Sequence, residues 1–161
     1  MSRPFLLALS LAALAALPAL LAGACARSEA QESSSTLWVS GMRVGGGSRA
    51  VVRLRNVAPA SSGRFFVHYT VRGTSSGVPL SLPAAGATGV SLLAGRTLEL
   101  DLGEIVNLYR KSQGYGSFAG PVQFVAYGEG GTDADFGPDT IVVDAAQTEG
   151  AARFQAAVEW R

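Results

Sequence analysis

Four groups of residues in this chain are of types that could do chemistry. The single histidine, His68, lies in RFFVHYTVR, with Arg64 and Phe66 before it and Arg72 after it. Ser75 lies in Gly73-Thr74-Ser75-Ser76-Gly77, which matches the G-x-S-x-G spacing of a hydrolase nucleophile elbow. Asp133, Asp135 and Asp139, with Glu129 nearby, gather carboxylates in GEGGTDADFGPD, and oxygen-rich loops of this kind can hold calcium. The single cysteine, Cys25, ends an apolar amino-terminal run.

The first three fall short of a site. A lone histidine makes no triad without a placed nucleophile, and by itself it is a poor metal site. It reads as a surface or sheet-packing residue. The elbow needs a strand-to-helix turn on a parallel sheet, whereas Val78-Pro79-Leu80 follows here and reads as a hairpin or strand crossover. A flexible Gly/Ser turn accounts for it better. The acidic loop does not fit the helix-loop-helix calcium pattern, because Gly137 and Asp139 are misplaced and no Glu closes the set. It reads as a solvated loop, with calcium on Asp133, Asp135 and Asp139 as the alternative. No catalytic residue and no cofactor are assigned, and nothing points to an enzyme.

Cys25 is informative through its place. Arg3 precedes an apolar run from Phe5 to Leu17, then come Pro18 and Leu21-Ala22-Gly23-Ala24-Cys25. A charged start, an apolar middle and a small-residue exit form an export signal. The run is shorter than the ~20 residues of a membrane span. Two exits compete. In one, a lipobox-like sequence directs cleavage before Cys25, which becomes the lipidated first residue, although Ala22 stands where the usual Leu would be. In the other, cleavage follows Ala22-Gly23-Ala24 or Ser28-Glu29-Ala30. The expected organisation is a signal over 1–25, a polar tether over 26–35 and one domain over 36–161. With one cysteine, no intrachain disulfide is possible, so the domain must hold together by burial. About 130 residues can bury roughly two-thirds of the surface of the unfolded chain.

Charge is split along the chain. Arg27 to Arg96 carries eight basic residues against Glu29 and Glu32, while Thr97 to Arg161 carries four basic residues against ten acidic ones. Basic and acidic strands lying side by side would pair these charges across a sheet. No Lys/Arg cluster with interleaved aromatics occurs, which argues against nucleic acid as a partner.

The elements that would position these residues are strands. In Arg64 to Arg72, Phe65, Val67, Tyr69 and Val71 share one face, and Arg64, Phe66, His68, Thr70 and Arg72 the other. Thr97 to Leu102 alternates with Leu98, Leu100 and Leu102 inward. Ala152 to Arg161 alternates with Phe154, Ala156, Val158 and Trp160 inward. Leu37 to Val44, Ala50 to Val57, Pro121 to Tyr127 and Thr140 to Asp144 read as further strands, and Val78 to Leu82 and Thr88 to Leu93 as short ones. Only Glu104 to Lys111 suggests a helix, of one or two turns. Glycine-rich turns at this spacing predict an all-β fold, an antiparallel immunoglobulin-like sandwich of seven to nine strands. On it, Arg64, Phe66, His68 and Arg72 would form an exposed aromatic and cationic strip suited to binding, unless a second sheet or a loop covers Phe66. Tyr115 and Phe118, in GYGSFAG, are loop aromatics that would either meet a partner or anchor their loop to the core.

The stretch from GRFFVHYTVRGTSSG through LSLPA to LLAGRTLELDLGEI is similar in layout to small periplasmic proteins of curli assembly. The resemblance covers about half of the mature domain. It implies an immunoglobulin-like sandwich that keeps amyloid fibre subunits from assembling early. The chain departs from that family in lacking the cysteine pair of some members, in a longer insert between Glu104 and Pro121 and in its acidic loop, and no family residue is carried over. The sequence as a whole predicts an exported, lipid-anchored binding or structural module of the periplasm or cell envelope. Its expected partners are a membrane, through Cys25, and another envelope protein. An assembly chaperone is the first alternative and a hydrolase acting through Ser75 or His68 the second.

Overall fold

The computed structural model describes residues 35–73, 89–130 and 134–161. The expected signal with Cys25, the tether up to residue 34, Ser75, the strand Val78 to Leu82 and Asp133 lie outside the described residues. Among those described, the chain forms β1 (Leu37–Val44), β2 (Ser48–Asn56), β3 (Arg64–Gly73), β4 (Val90–Leu93), β5 (Thr97–Asp101), α1 (Leu102–Ser112), β6 (Gly120–Glu129), β7 (Ile141–Glu149), β8 (Ala152–Gln155) and β9 (Ala157–Trp160). They build two sheets, ordered β4-β3-β6-β1-β9 and β5-β2-β7-β8, with every pairing antiparallel. The fold is the all-β sandwich that the alternation predicts. No helix among the described residues is long and apolar enough to cross a membrane.

The centre of the sandwich is immunoglobulin-like. Immunoglobulin domains pair strand B with E in one sheet and C with F in the other. Here β2 pairs with β5, and β3 with β6. The flanks differ. Where immunoglobulin domains set their first strand beside B and their last beside F, this chain sets β7 beside β2 and β1 beside β6.

Alternation decides which residues enter the core. In β1, Leu37, Val39, Met42 and Val44 are buried. The step from Val39 to Met42 breaks strict period two, and a bulge absorbs the extra residue against β6. Gly41, at φ 80°, takes the left-handed conformation there. From β3 and β6 of the same sheet come Phe65, Val67, Val71 and Phe124, and from β2 of the facing sheet Val52 and Leu54, all buried. Each such side chain contributes on the order of 2 kcal/mol on leaving water.

Three expectations are corrected. The helix is longer than one or two turns. Asp101 caps it by accepting from the backbone N–H groups of Gly103 and Glu104, and Leu102, expected at the end of a strand, is its first, buried residue. The segment Ala152 to Arg161 is not one strand. It changes sheets at Ala156, so β8 borders one sheet and β9 the other; Ala156 and Trp160 pack against the core, but Phe154 (53% exposed) and Val158 stay exposed at the sheet edges. The acidic loop is not wholly solvated. Its Phe136 is buried edge-on between Phe65 and Trp160, and it lies so close over Gly128 that a Cβ there would overlap the ring.

One buried polar residue joins the sheets. Asn56, at the end of β2, is fully buried. Its side-chain amide donates to the carbonyl of Leu92 in β4, in the other sheet, and its carbonyl oxygen accepts from the Ala58 N–H. The Asn56→Ala variant strands both partners in an apolar setting and should lose about 2 kcal/mol. A lower midpoint in urea unfolding with an unchanged slope checks this. The Asp101→Ala variant removes the cap of α1 and should lose about 1 kcal/mol in the same measurement.

Candidate binding face

The outer face of the five-stranded sheet consists of the residues that core packing turns away. On β3 these are Phe66, His68, Thr70 and Arg72, between the buried Phe65, Val67 and Val71. Register then sets their neighbours. Phe66 lies opposite Glu129 of β6, His68 opposite Tyr127, Thr70 opposite Val125 and Arg72 opposite Gln123. On the far side of β6, Trp38 of β1 lies opposite Val125, and Glu159 of β9 lies opposite Trp38.

These side chains stack into a ladder of rings and cations. The Arg64 guanidinium lies 4.7 Å from the centre of the Phe66 ring. His68 and Tyr127 are stacked, with centroids 4.9 Å apart and planes 11° from parallel. Trp38 takes two guanidiniums, Arg161 at 4.4 Å and Arg72 at 5.5 Å from its centroid. Cation-π contacts of this exposure contribute about 0.5–1 kcal/mol each, and they orient the guanidinium forks. Arg161 is fixed further, donating from Nε and Nη2 to both carboxylate oxygens of Glu159 at 3.0 Å. Those hydrogen bonds, and then the Arg161 charge, hold the Glu159 carboxyl below its ordinary range. His68 Nε2 makes no hydrogen bond but stands 3.5 Å from a Glu129 carboxylate oxygen, an ion pair only when the ring is protonated.

The opposite sheet is built differently. Across its outer face Arg49 reaches Asp101 at 2.7 Å, Arg53 reaches Glu99 at 2.8 Å and Asp144 at 3.1 Å, and Arg153 reaches Asp144 at 3.2 Å. Hydrogen bonds donated to these carboxylates raise the pKa of Arg49 and Arg53. Basic β2 is thus flanked by acidic β5 and β7, and part of the charge split of the sequence, Arg49 and Arg53, closes in pairs across this sheet. Exposed pairs of this kind add little stability, so their main effect is a neutral surface.

Of the residues singled out from the sequence, Arg64, Phe66, His68 and Arg72 come together on the ladder. Tyr115 is exposed on the loop after α1, where Arg110 stacks on it, outside the ladder. Phe118 takes the anchoring one of its two readings and not the partner-binding one: it is 5% exposed and belongs to the core, and its N–H donates to Asn107 Oδ1, which ties the loop to α1. Asp135 and Asp139 are exposed, and among the described residues no three His, Cys, Asp or Glu side chains gather where they could hold a metal ion. The sequence reading missed Trp38, Tyr127, Glu159 and Arg161 as members of the face. The parity of Trp38 between Leu37 and Val39 signals that it points outward, but its contact with Arg72 and Arg161 depends on register. A groove of about 570 Å³ lies between α1 and β2. It is lined by Ser48, Arg49, Asp101, Glu104, Asn107 and Lys111 among others, and its Arg49 and Asp101 are bonded to each other.

No protein-family model, no curated protein and no solved structure matches the chain.

Trp38 reports on its stack. A carboxyl whose folded-state pKa lies below its unfolded value contributes stability fully above the unfolded value and loses it as pH falls through the folded one. In a Trp160→Phe background, Trp38 fluorescence should hold steady through the ordinary carboxylate range and change only in stronger acid, when Glu159 protonates and releases Arg161. Replacing Arg161 by Gln removes the group that is released and should abolish that change, and a titration that is the same in both proteins would contradict the assignment.

Proposed function

We propose that the chain is an exported, lipid-anchored module of the cell envelope that binds another envelope protein through the outer face of its five-stranded sheet and catalyses no reaction. The observation that carries this reading is the cation and aromatic ladder. Side chains of β1, β3, β6 and β9 converge on it, and the types assembled there are tryptophan, tyrosine and arginine, which dominate the energetics of protein interfaces. Tyr127, at 41% exposed, stands at its centre. The anchor is Cys25. Residues 26–35 lead from it to β1, a strand of the same sheet, and ten extended residues reach about 33 Å. A domain on such a tether can turn its ladder toward a neighbour in the same membrane.

The test has two parts. Mass spectrometry of the mature amino terminus should find a lipid-modified Cys25, and Cys25→Ser should release the protein from the membrane fraction. A photoreactive phenylalanine analogue in place of Tyr127 should crosslink to one envelope protein, whereas the same analogue at Arg153, on the opposite sheet, should not. Retention of the Cys25→Ser protein on the membrane would remove the anchor from this reading, and equal crosslinking from both faces would remove the docking face.

A further inference from the structure

We infer that the partner presents an acidic protein segment to one corner of this face, the corner held by Arg43, Arg72 and Trp38; this rests on the docking face proposed above. Arg43 lies between the buried Met42 and Val44, so it points outward. It is opposite Pro121, and Arg72 is opposite Gln123, so the two arginines flank the same end of β6. Sheet geometry sets their backbones on the order of 12 Å apart. Of the carboxylates on the face, Glu159 is engaged with Arg161 and Glu129 lies at the far end beside His68, and neither Arg43 nor Arg72 has a carboxylate within 4.0 Å among the described residues. The Trp38 ring orients the Arg72 fork, and an oriented guanidinium is suited to bidentate capture of a carboxylate.

The rest of the face selects the class of partner. Glu129 and Glu159 lie on it, and the loop carrying the exposed Asp135 and Asp139 leaves β6 at the end where the Gly130 backbone packs against Arg64 and Phe66. A uniformly anionic lipid surface would meet repulsion there. A protein segment of graded charge meets cations at one end and aromatic rings along the middle. Five strands at about 4.8 Å spacing and ten residues at about 3.3 Å give a face of several hundred Å². Counting both partners, about 1,000 Å² would be buried, which is the size of weak, transient contacts. Attachment to a shared membrane offsets that weakness, since a short tether supplies an effective concentration of about millimolar.

The probe is a fluorescein-labelled dodecapeptide of alternating Glu and Ser, titrated by anisotropy into the full chain held in neutral detergent micelles. Saturable binding with a Kd of roughly micromolar or weaker is expected. The Arg43→Ala/Arg72→Ala variant should weaken it at least tenfold, and Arg55→Ala, an exposed arginine on the other sheet, should not. Circular dichroism of the double variant confirms that it is folded, and Arg72→Glu alone should reproduce most of the loss. Absence of saturable binding overturns the inference, and so does equal weakening by Arg55→Ala. Binding to phosphatidylglycerol vesicles with the same arginine dependence, but not to the peptide, overturns it in favour of lipid. If Tyr127 still crosslinks while the peptide fails to bind, the docking face stands and the acidic segment falls.

Discussion

No disulfide ties one sheet of this sandwich to the other, so everything depends on the fit of two inner faces. In antibody domains a disulfide bridges strands B and F. Here the equivalent strands, β2 and β6, bring the fully buried Val52, Leu54 and Phe124 to the core instead. Burial of this kind is non-directional, and on its own it tolerates sliding. Direction comes from polar joints: Asn56 crosses from β2 to the Leu92 carbonyl, and the Gln147 side-chain oxygen of β7 accepts from the Arg43 N–H in β1. Each joint links one sheet to the other, and each would leave a buried polar group unsatisfied if the sheets shifted.

Because packing fixes the parity of every strand, it also fixes what is left outside. The two outer faces differ because their leftover residues differ. On the four-stranded sheet, arginines of β2 and β8 meet carboxylates of β5 and β7 and cancel. On the five-stranded sheet, Arg64 and Arg72 meet rings, which orient them without neutralising them, and only Arg161 is also paired with a carboxylate. The first arrangement gives a surface with little left to offer a partner. The second keeps charge and aromatic area available, and the functional reading rests on that contrast.

Strands with clean alternation were legible. Arg64 to Arg72 falls where period two places it, with its inner face as read, and Leu37 to Val44 falls where its β-branched and aromatic content places it. The strip of Arg64, Phe66, His68 and Arg72 was legible for the same reason, since all four belong to one strand. What escaped depends on contacts between distant segments. Trp38, Tyr127 and Arg161 join the strip only through register, which a single sequence does not encode locally. Phe136 was hidden among aspartates, and nothing local shows that a pocket over Gly128 awaits it. Ala152 to Arg161 alternates well enough for one strand, but it runs along the outside of both sheets, where alternation no longer distinguishes core from solvent. The helix was underestimated because its capping residue, Asp101, also completes the alternation of β5.

The position of β1 has a mechanical consequence. It lies between β6 and β9, hydrogen-bonded on both sides, and at its start Thr36 and Arg161 exchange two backbone hydrogen bonds. Tension applied at residue 35 along the strand therefore loads two ladders at once and in shear, so many bonds share the force instead of parting one by one. Peeling would have to begin at the other end of the pairing, where β9 passes through Ala156 into β8.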